Sequence, residues 1–116
     1  MNFQTQITTM KYVKIPSTFK VGGTRIDVRL VDRCDDNVFG SCFLGAGYIE
    51  IADLVNKNDK QSADSKVNTF YHELIHSILD TMGYSDMSKD EKFVNCFAGF
   101  LTEAMESAVF IEEEEQ

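Results

Sequence analysis

His72 and His76 are the only two histidines in the chain, and they stand four residues apart in the run His72-Glu73-Leu74-Ile75-His76. On a helix, residues i and i+4 lie one turn apart on the same face, so two imidazoles at this spacing can grip a single ion. Glu73 projects about 100° round the helix from His72, towards the side where a coordination position would stay open. A carboxylate there can take a proton from water activated by a metal. This run constrains the fold in three ways. The segment should be helical, its histidine face should border a cleft, and another element should deliver the remaining ligand.

The surrounding pattern supports the helix. From about Ser62 to Met82, Val67, Phe70, Tyr71, Leu74, Ile75, Ile78 and Met82 recur at helical period, and Gly83 supplies a stop. His72 and His76 fall on a flank of that stripe, beside Thr69 and Asp80. A second helix is expected from about Lys89 to Val109, with an apolar stripe of Phe93, Val94, Phe97, Phe100, Leu101, Ala104, Met105 and Ala108. Ser88 and Glu91 have the spacing of a capping box at its start. Glu91, Asn95, Ala98, Gly99 and Thr102 form a small and polar stripe opposite the aromatic one. A glycine inside a helix costs about 1 kcal/mol relative to alanine. Close approach of the two helices would give Gly99 a purpose.

Upstream the period is that of strands. Phe19 to Val21, the pair Gly22-Gly23, and Thr24 to Val31 read as a hairpin whose glycines supply positive φ angles. Within its second strand Ile26, Val28 and Leu30 face one side, and Arg25, Asp27 and Arg29 the other. Arg33 to Gly40 reads as a polar loop. Ser41 to Leu44 and Tyr48 to Ala52 read as short strands joined by Gly45-Ala46-Gly47, with Ile49 and Ile51 pointing inward. Asp53 to Asp64 is turn-rich. Some β character also surrounds Tyr12, Val13 and Ile15, ahead of Pro16. The order predicts an α+β domain with a small, mostly antiparallel sheet followed by two helices.

At 116 residues and 43% hydrophobic, the chain suits one domain, placed at residues 1–111. Residues 112–116, four glutamates and Gln116, should form a solvated, disordered acidic tail. A formal net charge of −8 with no Lys/Arg cluster argues against nucleic acid or an anionic membrane as partner. The polar N-terminus lacks the apolar run of a signal peptide, and no stretch is long enough to span a bilayer. A soluble, cytoplasmic protein is expected. Cys34, Cys42 and Cys96 are odd in number and lack CxxC spacing, which suits reduced thiols.

A catalytic zinc takes three protein ligands and a water. With no histidine left, a carboxylate among Asp80, Asp86, Asp90, Glu91, Glu103 and Glu106, or else Cys96, must complete the set. Asp80 is a further turn along the histidine helix, and ligands at i, i+4 and i+8 spread over about 12 Å, too far for one ion. Glu91 can reach the ion if the second helix folds back through the Gly83–Met87 turn. As a capping-box partner of Ser88 it would instead only serve the helix start. Spacing leaves both roles open.

At this point the sequence resembles the ImmA/IrrE-type zinc metallopeptidases of phages, prophages and other mobile elements. Their pattern is a strand, then HExxH, then E-x-x-A-N-x-F-A-x-x-L. Here it is matched by Tyr48-Ile49-Glu50-Ile51, by HELIH, and by Glu91-Lys92-Phe93-Val94-Asn95-Cys96-Phe97-Ala98-Gly99-Phe100-Leu101. Val94 replaces the usual alanine, and Ile75 stands where glycine is frequent. The resemblance covers roughly residues 45 to 105. It implies a minimal zincin-like domain with Zn2+ held by His72, His76 and Glu91, and with Glu73 as catalytic acid/base. It further implies hydrolysis of a protein or peptide substrate, a transcriptional repressor among the candidates. A substrate strand would pair beside Tyr48–Ala52 if that strand is an edge, and Tyr48, Tyr71 and Tyr84 are candidates to stabilise the oxyanion. The alternative is a zinc-binding regulatory or interaction module with little or no peptidase activity.

Overall fold

The computed structural model describes residues 15–113. Tyr12 and Val13, where β character was expected, lie outside them, as do residues 114–116 of the tail. Ile15 belongs to no strand, and Glu112 and Glu113 are exposed and in no regular element.

The hairpin forms as its glycines require. β1 (Thr18–Val21) and β2 (Thr24–Val31) pair antiparallel around Gly22 and Gly23, at φ 58° and 83°. Two successive positive φ angles match the turn to the right-handed twist of its strands. β3 (Gly40–Phe43) and β4 (Tyr48–Ala52) form a second antiparallel pair, through a 3-10 turn at Leu44–Ala46 that Gly47 closes at φ 81°. β4 then pairs parallel with β2, giving the order β1-β2-β4-β3. The sheet is therefore mixed, where a mostly antiparallel one was expected. Side-chain alternation records which face a strand buries; it says little about the direction of its neighbour.

The turn-rich stretch contains a small ladder, β5 (Leu54–Val55) with β6 (Asp59–Lys60). The Arg33 guanidinium fastens its turn, donating to the carbonyl oxygens of Asn56 and Lys57 and to Asn58 Oδ1.

α1 (Ala63–Met82) starts where Ser62 Oγ accepts from the Ser65 N–H at 3.1 Å, and ends at Gly83 in the left-handed region, φ 85°. Its Phe70 joins Ile26, Ile49 and Ile51 in the core against the sheet. Its Ile75 and Leu79 join Val94 and Ala98 of α3 (Glu91–Ser107). α1 is thus packed on two sides, against the sheet and against α3. The single expected stripe is correspondingly wrong at its end: Ile78 and Met82 are exposed, while Thr69, Glu73 and Ser77 are buried on the sheet side. α3 packs mainly on α1, with a smaller contact to α2, so a narrow seam of Val94 and Ala98 suffices, and Phe97 and Phe100 remain exposed. Gly99 does not mark a close approach, since a Cβ there would meet nothing within 4 Å.

The helix after Gly83 is also not continuous. A short helix, α2 (Ser85–Lys89), comes first, and Asp90 then caps α3, its Oδ1 accepting from the Phe93 N–H at 3.2 Å. The expected capping box of Ser88 and Glu91 is not formed: Ser88 lies inside α2, and its hydroxyl is used elsewhere. Among the described residues, no helix is long and apolar enough to cross a membrane.

One glycine is set by close approach. A Cβ on Gly40 would lie 3.1 Å from the Glu50 carbonyl oxygen and 3.3 Å from Glu73 Cγ, and would clash with Thr69 Cγ2. The Thr69 and Glu73 side chains of α1 lie directly against the Gly40 backbone of β3. Gly40→Ala should destabilise the fold by about 1–3 kcal/mol, the usual cost of overpacking. Thermal melting should show most of that loss recovered when Thr69→Ser removes the clashing methyl. No recovery would place the strain elsewhere.

Candidate metal centre

α1 presents His72 and His76 on the flank between its two packed faces, as the helical period requires. The turn through α2 brings the first residue of α3, Glu91, opposite them. Glu91 Oε2 lies 3.1 Å from His72 Nε2, and Oε1 lies 3.3 Å from His76 Nε2. The three candidate ligand atoms all fall within 4.8 Å of one another. Two ligands bonded at about 2.0–2.1 Å to one tetrahedral zinc are roughly 3.3 Å apart. The spacing and the donors, two imidazoles and a carboxylate, fit that ion.

The far side of each ring is held. His72 Nδ1 meets Glu73 Oε2 at 2.8 Å, and His76 Nδ1 meets Ser88 Oγ at 2.9 Å. With the proton on Nδ1 in both rings, both hydrogen bonds are satisfied and both Nε2 lone pairs face Glu91. The place also favours positive charge. Hydrogen bonding to Glu73 raises the His72 pKa above its ordinary value, against the lowering effect of burial, and the charges of Glu73 and Glu91 add to the rise. A proton and a metal cation therefore compete for the same position.

Glu73 is 5% exposed, yet it borders the cleft on which the three ligand candidates open. That cleft has a volume of about 450 Å³, and Val38, Phe39 and Gly40 form its wall on the β3 side.

No protein-family model, no curated protein and no solved structure matches the chain. The chemistry of the site has to be read from its own atoms.

Of the carboxylates left open by spacing, Glu91 joins the histidines; Asp80, Asp86, Asp90, Glu103 and Glu106 do not. Asp90 is occupied in capping α3. Cys96 is exposed and outside the cluster. Burial above all, then the charges of Glu73 and Asp80, pushes the Cys42 thiol up to about 11; burial likewise raises Cys34. Neither Cys34 nor Cys42 belongs to the cluster formed by His72, His76 and Glu91. Tyr48, Tyr71 and Tyr84 do not line the cleft. Tyr48 stacks on Phe43 at 4.9 Å under the Arg29 guanidinium, Tyr71 packs in the core, and Tyr84 is exposed. The neutral side-chain donors that do line the cleft include Asn68 and Asn95.

Two residues of the site carried no signal of their own in the sequence. Gly40 resembles any loop glycine, and Ser88 suggested a helix cap. Ser88→Ala should lower metal affinity by roughly 10–100-fold, the usual effect of removing a group that orients a ligating histidine. Competition against a chromophoric chelator would measure it, and an unchanged affinity would reduce Ser88 to a packing role.

Proposed function

We propose that this protein is a zinc-dependent peptidase with a minimal zincin-like domain of the ImmA/IrrE type. His72, His76 and Glu91 would hold the metal. The convergence of two imidazole nitrogens and one carboxylate within 4.8 Å of one another supports this reading, with the buried Glu73 beside them. A zinc ion there would polarise the scissile carbonyl and lower the pKa of bound water towards about 7. Glu73 is the proton acceptor for the attacking water and returns that proton to the leaving amine. Asn95, one turn beyond Glu91 at the cleft wall, replaces the tyrosines as the candidate donor to the carbonyl oxygen.

The substrate is a protein or peptide bound as an extended strand. β4 cannot receive it, because β2 and β3 flank β4 on both sides. Among the described residues β3 is the outer strand beside the cleft, and its outer edge offers backbone groups to an added strand. A transcriptional repressor, the target implied by the resemblance, falls within that substrate class.

One observation favours the second reading, a zinc-binding regulatory module. The Glu73 carboxylate is hydrogen-bonded to His72 Nδ1 at 2.8 Å, which is also how a carboxylate serves purely to orient a ligand. Incubating the zinc-loaded protein with casein and following peptides by mass spectrometry separates the two. Cleavage that chelation abolishes and one equivalent of zinc restores is expected. Zinc retained without cleavage would leave the regulatory module.

A further inference from the structure

The cleft is polar around the ligand candidates but not along its β3 wall. Val38 and Phe39 stand there 42% and 46% exposed, the apolar part of a lining that is otherwise mostly polar. Exposed apolar side chains on a mobile loop would mean little. This segment is fastened from behind. The Phe39 carbonyl oxygen accepts from the Ala52 N–H at 3.0 Å and from Gln61 Nε2 at 3.3 Å. Gln61 is itself buried, and its amide is fully used. Nε2 donates a second time, to the Ala52 carbonyl oxygen at 2.7 Å, and Oε1 accepts from Ser65 Oγ at 2.8 Å and from Thr69 Oγ1 at 2.7 Å. Two donors and two acceptor lone pairs are all that an amide side chain has. The backbone of Phe39 is thereby tied to β4 and to α1, the helix that carries the histidines, and the residue borders the cleft.

We propose that Val38 and Phe39, held by the Gln61 clamp, are the specificity-determining residues of the cleft and select peptides with a bulky apolar side chain beside the scissile bond. The proposal rests on the peptidase reading for the identity of the occupant. A pre-positioned apolar wall gains only when an apolar group covers it, because water on both surfaces is then released. Its ordering cost is already met by the clamp. Small polar side chains at that position would leave the wall wet.

The test needs no turnover. Zinc-loaded protein is titrated calorimetrically with two hydroxamates, N-acetyl-phenylalanine hydroxamate and N-acetyl-alanine hydroxamate, whose shared hydroxamate would chelate the metal. The phenylalanine compound should bind at least about tenfold more tightly, the scale of discrimination that apolar pockets achieve. Phe39→Ser should bring the ratio close to one; the side chain is half-exposed, so folding should survive, as circular dichroism would check. Equal binding of the two compounds by the wild type, an unchanged ratio in Phe39→Ser, or no binding of either compound would overturn the proposal. Failure of the peptidase reading looks different: strong selectivity for the phenylalanine compound without cleavage of any protein. Conversely, cleavage with no selectivity would retain the peptidase and discard the role of Phe39.

Discussion

Glu73→Gln should leave metal content and melting temperature close to wild type while lowering kcat/KM for peptide hydrolysis by roughly 10²–10⁴-fold, the contribution of a positioned general base. The change is nearly isosteric, which matters because Glu73 is 5% exposed and packs under Gly40. The glutamine oxygen can still accept from His72 Nδ1, so the ring that Glu73 orients keeps its position. The amide cannot take a proton from water. Metal content, melting and turnover measured on one preparation distinguish loss of the base from loss of the site. Unchanged turnover would assign the proton transfer to another group and remove Glu73 from the mechanism.

The second large effect concerns the ligands. His72→Ala or His76→Ala should abolish stoichiometric zinc binding, since the chain has no third histidine to substitute. Glu91→Gln should lower affinity by an order of magnitude or more, a neutral amide being a poor zinc donor. The fold makes this last substitution clean. Asp90 caps α3, so Glu91 is not needed to start the helix, and circular dichroism should be unchanged. Calorimetric titration of the metal-free variants would measure all three. A histidine variant that keeps one equivalent at wild-type affinity would place the metal elsewhere.

How much of this was legible before the structure depends on whether a feature is local. The hairpin, β4 and α1 were readable because Gly22-Gly23, the alternation through Ile49 and Ile51, and the Ser62 and Gly83 caps are decided within a few residues. The histidine face followed from the helical period alone. What failed was set by partners distant in sequence. The parallel pairing of β2 with β4 puts β3 at the edge, and no side-chain pattern encodes that. α1 buries Thr69, Glu73 and Ser77 because it is packed on two sides. Periodicity reads polar residues as solvent-facing, yet Thr69 is satisfied by Gln61 and Ser77 by the Leu74 carbonyl oxygen. The Ser88–Glu91 spacing fitted a capping box, but Asp90 takes the cap, which frees Glu91 to face the histidines and Ser88 to hold His76. Gly40 and Gln61 gave no signal, because their roles are defined by contacts to other elements, Gly40 against Thr69 and Glu73 of α1 and Gln61 against the carbonyl oxygens of Phe39 and Ala52.

X-ray absorption at the zinc edge of the loaded protein tests the centre most directly. Two imidazoles and light oxygen ligands at about 2.0–2.1 Å are expected, with no sulfur in the first shell. A scatterer at about 2.3 Å, which would be a cysteine thiolate, or a signal from fewer than two imidazoles, would contradict a centre built from His72, His76 and Glu91.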